Sequence, residues 1–127
     1  APFHPLAPLP SPLDTAEIRR HRQVVVGDTS RQLAPRSTGF TGAIDVLTVP
    51  SMAAKIEAQK AGLGCGYLPR GRIADAIARG ELVVRQTDQG ERSSALNTAW
   101  RQDARGKAVA WWIAKLRKPA TRAALTA

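Results

Sequence analysis

The chain has a single cysteine, Cys65, and two histidines, His4 and His21. One cysteine excludes an internal disulfide, and one Cys with two distant His cannot make a closed metal site. Cys65 lies between glycines in an apolar run with no base beside it, so it reads as a small buried thiol of a reducing compartment rather than a nucleophile. No serine stands in a nucleophile-elbow sequence, so no catalytic residue is assigned, and no cofactor is expected. Gly62, Gly64 and Gly66 mimic a dinucleotide fingerprint, but they open a strand instead of leading from one into a helix. No window approaches the ~18 apolar residues of a membrane span. Ala1 to Pro12 holds Pro2, Pro5, Pro8, Pro10 and Pro12 and lacks the apolar centre of a signal peptide. These absences point to a cytoplasmic chain.

Acidic residues are also scarce. Ten Asp+Glu face nineteen Lys+Arg among 127 residues, a net charge of +9. Such a balance invites a nucleic-acid partner. The basic residues are scattered, however, from Arg19, Arg20 and Arg22 to Lys115, Arg117 and Lys118. No basic run is interleaved with aromatics as a base-stacking platform requires, so most of these charges read as solvated faces.

What is present is an alternation of strand-like and helix-like segments, with no internal repeat. Leu13-Asp14, followed by Glu17 and Ile18, has the form of a capping box with a hydrophobic staple, and the helix it opens should end near Arg20 to Arg22. Gln23 to Val26 is β-branched and apolar on both faces, as a strand of a helix-covered parallel sheet would be. Residues 32 to 43 read as a loop. Ala43 to Val49 is a second strand. Ser51 caps a helix over Met52 to Ala61, and Gly62 fits its stop. Leu63 to Leu68 is a third strand, closed by Pro69. A helix over Arg72 to Arg79 stops at Gly80, and short strands follow at Leu82 to Val84 and Leu96 to Arg101. Lys107 to Lys118 is amphipathic, with Val109, Trp112, Ile113 and Leu116 on one stripe and Pro119 just beyond. The alternation indicates an α/β fold, and the central strand–helix–strand is one parallel βαβ unit, whose ligands sit beyond the carboxyl ends of the strands.

The order and spacing of these segments resemble the effector-binding domain of LysR-type transcriptional regulators, from about His4 to Leu116. His4-Pro5-Leu6-Ala7 is similar to the exit from that domain's first subdomain. His21-Arg22 with Val24-Val25-Val26 and Asp28-Thr29-Ser30-Arg31 is similar to the first strand and loop of the second. Val46 to Met52 and Ala61 to Pro69 are similar to its next strands and helix. Gly80-Glu81-Leu82-Val83, Ala99-Trp100-Arg101, Gly106-Lys107-Ala108 and Trp111-Trp112 are similar to the return and the C-terminal helix. The resemblance implies a periplasmic-binding-protein-like (type 2) subdomain, with a mostly parallel sheet flanked by helices. It also implies a division into a crossover at 1–12, a second effector subdomain at 13–85, and a return strand and C-terminal helix of the first subdomain at 86–127. The family's winged helix-turn-helix, linker helix and front half of the first subdomain have no counterpart in the sequence, so DNA contact is expected only through a separate domain.

By that resemblance the effector is small, anionic or zwitterionic, and sits in a cleft between subdomains. Thr29 and Ser30 would stand at a strand's carboxyl end, Arg31 would offer a bidentate cation, and Ser51 and Met52 would open a helix whose dipole favours negative charge. Tyr67 would form cleft wall. Each has a plainer reading: Thr29 and Ser30 suit a turn, Ser51 a structural cap, Arg31 a solvated surface, and Tyr67 a core position. The family's antiparallel pairing implies a homodimer interface on the helix with Ala54, Ala58 and Ala61, although those faces also suit packing within one chain. A periplasmic-type solute-binding domain and a basic nucleic-acid accessory domain stay open as alternatives.

Overall fold

Asp14 opens the first helix, α1 (Thr15–Arg19), by accepting a hydrogen bond from the Ala16 N–H at 2.8 Å. The capping box is not reciprocal. Glu17 turns away from the cap toward Arg20 and His21 at 3.3 Å, because those side chains, three and four residues on, lie on its own helical face. The staple is present: Leu13 and Ile18 are buried together with Leu6, and Leu9 and Cys65 pack against them. This computed structural model describes residues 1–28, 42–91, 97–101, 103 and 106–126. It divides the chain into two units, Ala1–Arg92 and Ser93–Ala127.

In the first unit, β1 (Gln23–Val26) pairs in parallel with β2 (Val46–Val49), Val24 opposite Leu47 and Val26 opposite Val49. Gln23, Val24 and Val25 are buried, with Val24 fully so, which explains the β-branched run without polar alternation. The predicted second strand shortens at its start to Val46, although the Asp45 carbonyl still accepts from Gln23 N–H at 2.9 Å. The predicted third strand is reduced to one parallel bridge, Gln23 to Cys65. There Cys65 N–H donates to the Arg22 carbonyl and Val24 N–H to the Cys65 carbonyl, both at 2.9 Å. Gly66, at φ 153°, takes the backbone out of the ladder in a region only glycine favours.

The Ser51-capped helix, α2 (Met52–Lys60), packs on both strands. Its buried face carries Lys55, Ala58 and Gln59, at i, i+3 and i+4. The next helix, α3 (Arg70–Ala78), begins two residues earlier than the sequence predicts, with Pro69 at its N-cap position, and ends before Gly80 at φ 71°. Ile73 and Ala76 form a second apolar cluster with Leu82, joined by Ile56, Leu68 and Ile77. Residues 82–84 pack without strand pairing. Leu13 bridges Thr87, and the Asp88 carboxylate accepts from both the N–H and the hydroxyl of Thr15, which ties residues 86–88 to the start of α1.

In the second unit, residues 97–101 are irregular where a strand was predicted. α4 (Lys107–Arg117) forms as its periodicity requires, and α5 (Pro119–Thr126) packs against it. Pro119 is the first residue of α5 rather than only a stop, since proline suits the first helical position. Trp111 and Trp112 meet edge to face at 4.9 Å between ring centres, and both are exposed. No helix among the described residues is long and apolar enough to cross a membrane.

Candidate ligand-binding site

The two paired strands end together. Val26 lies opposite Val49, and Gly27 N–H donates to the Val49 carbonyl at 2.9 Å. Two residues past Val49, the Ser51 Oγ accepts from Ala54 N–H at 3.1 Å and starts α2. The first turn of a helix leaves the N–H groups of Met52 and Ala53 without an intrahelical acceptor, and the helix dipole adds partial positive charge there. Ser51 is exposed and Met52 half-buried. Such an end can accept a carboxylate or phosphate oxygen. Thr29, Ser30 and Arg31 lie outside the described residues; the chain that leads to them from β1 is described as far as Asp28.

Tyr67 belongs to a different place. It lines a cavity of about 140 Å³ that neither Ser51 nor Met52 borders. Gln59, in the last turn of α2, lines it as well, so the two places are separated by about 12 Å along the helix axis. The apolar wall includes Leu6, Leu13, Ile18 and Leu82. The polar lining includes His4, Tyr67, Arg85 and Thr87, and the Tyr67 hydroxyl stands 3.5 Å from the Thr87 hydroxyl. Two buried nitrogens here have no hydrogen-bond partner, Gln59 Nε2 and Arg85 Nε. The Arg85 guanidinium also donates to the Leu9 carbonyl. Among the described residues, no aspartate or glutamate lines the cavity.

The surroundings disfavour added positive charge. His4 is buried, and its Nδ1 accepts from Leu6 N–H at 3.2 Å, which leaves the proton of the neutral ring on Nε2. Burial, and then the His21 ring 5.4 Å away, hold its pKa below the ordinary histidine value. Lys55 is only 3% exposed, and desolvation lowers its pKa. It forms no ion pair among the described residues. Burial pushes the Cys65 thiol up, so it is a poor nucleophile. Among the described residues no cluster of three or more His, Cys, Asp or Glu is placed to hold a metal ion.

Of the alanines singled out for pairing, Ala58 is buried against the strands, Ala54 is half-buried and Ala61 is exposed. The helix turns Lys55, Ala58 and Gln59 inward, so the three alanines do not share one open face in the single chain. The sequence reading did not find Gln59 and Arg85 as cavity residues. The one signal lay in α2, where Lys55, Ala58 and Gln59 fall on a common helical face.

A family model for the LysR substrate binding domain matches residues 1–120. The uncharacterized HTH-type transcriptional regulator YeeY of Escherichia coli is 34% identical over 112 residues, covering 88% of this chain and 36% of its own length. The HTH-type transcriptional activator AllS of Salmonella typhimurium is 34% identical over 106 residues, covering 84% of this chain and 34% of its own. AllS of Klebsiella pneumoniae is 34% identical over 84 residues, 66% of this chain and 31% of that protein. The chain therefore spans about a third of the length of these curated relatives. No solved structure matches it.

Proposed function

The chain belongs to the LysR substrate-binding domain family, and from that premise we propose that it senses a small anionic or zwitterionic effector in a cleft between two subdomains. Effector binding is the family's role, and the relatives named above are transcriptional regulators rather than enzymes. The observation that carries the finer reading is the register of β1 on β2, which brings Val26 and Val49 together at the edge where Ser51 opens α2. A ligand carboxylate would take the Met52 and Ala53 amides and the Ser51 hydroxyl. Thr29, Ser30 and Arg31, which follow β1, would supply further hydroxyls and a cation, while Tyr67 stays at the separate cavity.

Residues 13–85 would then form the second effector subdomain, and 86–127 the return strand and C-terminal helix of the first. No catalytic residue, metal or cofactor enters this reading. DNA contact in the whole regulator would come through a separate winged helix-turn-helix, in the cytoplasm. Two copies would pair along the open side of α2, through Ala61 and the half-buried Ala54, whereas Ala58 is buried against the strands of its own chain. Substituting Ser51 by Asp tests the cleft: aspartate keeps the cap and places a negative charge where the ligand's would go. Loss of effector response with the fold retained supports the reading; an unchanged response sinks it.

A further inference from the structure

The cavity beside Gln59 and Arg85 is not used by the effector reading, and its chemistry is one-sided. The cavity is partly open to solvent and walled mainly by apolar side chains, and its volume of about 140 Å³ is close to the ~150 Å³ that admits a benzene-sized body. A dry apolar cavity of that size would have no reason to hold a guanidinium. Here Arg85 lines it with a buried Nε that donates to nothing, and the buried Gln59 amide nitrogen is likewise unpartnered. Leaving such donors unmatched costs about 1–3 kcal/mol each. An acceptor placed between them removes that cost.

The sign of the charge is also fixed. Among the described residues no carboxylate lines the cavity, and Arg85 makes no ion pair. One turn before Gln59, the buried Lys55 reaches the same glycine: a β-carbon on Gly66 would lie 3.5 Å from Lys55 Cε and 3.1 Å from Gln59 Nε2. We propose that this cavity is a second ligand site for a small monocarboxylate, its carboxylate held by Arg85 and Gln59 and its hydrocarbon body packed against Leu6, Leu13, Ile18 and Leu82. Arginine suits this role because its planar fork matches a carboxylate. The volume suits a small ligand better than a drug-sized one, whose clefts run to ~300 Å³ or more. The proposal goes beyond the cleft reading, since neither Ser51 nor Met52 borders the cavity.

The test is a titration of the 127-residue chain with isovalerate, read by backbone amide chemical shifts, beside isovaleramide, which has the same shape and no charge. The shifts should concentrate at His4 to Leu6, Gln59, Cys65 to Tyr67 and Arg85. Isovaleramide should bind roughly tenfold or more weakly, the equivalent of one charge-assisted hydrogen bond. Arg85→Gln should weaken isovalerate by a similar factor, and Ser51→Ala should leave it unchanged. Because Arg85 also holds the Leu9 carbonyl, the acid-against-amide comparison on the unaltered chain decides the matter if that variant fails to fold. Equal binding of acid and amide, or no shift up to tens of millimolar, overturns the proposal. Shifts confined to Ser51 and Met52 also overturn it, while leaving the cleft reading intact.

Discussion

Gly64 lies so close to the Arg22 carbonyl that a β-carbon on it would sit 2.5 Å from that oxygen. The approach lets Cys65 bridge β1, so Gly64 is where the third segment of the sheet is attached. Gly64→Ala should cost about 2–3 kcal/mol, because a backbone oxygen cannot move aside as a side chain can. Gly80 is the contrast: its φ is 71°, with nothing within 4 Å of an added carbon. Gly80→Ala should therefore cost about 1 kcal/mol from backbone strain alone. Urea midpoints of the two variants check the order, and a reversal would show that Gly64 is not a close-approach site.

Ser51 has a structural and a proposed functional role, and two substitutions separate them. Ser51→Ala removes the acceptor of the Ala54 N–H and should cost about 1 kcal/mol. Ser51→Asp keeps an acceptor at the cap and should leave stability within about 0.5 kcal/mol of the parent. Denaturant unfolding of both variants, beside the parent, measures the difference.

How much of this was legible in the sequence depended on the range of the interaction. Local signals were reliable: Asp14 and Ser51 cap their helices, and Gly80 follows the end of its own. The Val24-Val25-Val26 run marked a buried strand, because β-branched residues apolar on both faces have few other uses. Segments that need a partner were over-read. Leu63 to Leu68 and Leu82 to Val84 are apolar and short, yet pairing depends on what lies alongside, and Gly66 interrupts the first. Which face of α2 turns inward was open for a similar reason: alanine spacing marked one face for close approach without saying to what, and in the folded chain Lys55, Ala58 and Gln59 are buried. The cavity was invisible because Leu6, Gln59 and Arg85 meet only in three dimensions.

Acid should weaken the fold through His4. Its folded pKa lies below the ordinary value of 6.5, because burial and the adjacent His21 ring disfavour the charged form. The unfolded chain therefore takes up its proton first, and stability falls as pH drops below about 6.5 toward the folded pKa. Above that window the contribution is complete. Glu81, held at about 2 by hydrogen bonds from Arg79 and Lys60, loses its contribution only at much lower pH. Unfolding midpoints at pH 7.5 and 5.0 should differ, and His4→Gln should reduce the difference. An unchanged difference would remove His4 from the account.

Pairing through α2 predicts an asymmetry between two alanines. Ala61 is exposed, so Ala61→Arg should leave the fold intact and shift any dimer toward monomer. Ala58 is 8% exposed against the strands, so Ala58→Arg should destabilise the chain itself by several kcal/mol, roughly as overpacking plus a buried unpaired charge would. Sedimentation of the Ala61 variant decides the first point, and thermal unfolding of the Ala58 variant the second.

The central claim is that an effector is held where β1 and β2 end and α2 begins. The most direct measurement is an amide-resolved titration of the chain with small dicarboxylates and amino acids. The account predicts that a binder shifts Val26 to Asp28 together with Ser51 to Ala54, and that Ser51→Asp abolishes the shifts. A dicarboxylate that binds the chain yet leaves both segments unmoved would contradict it.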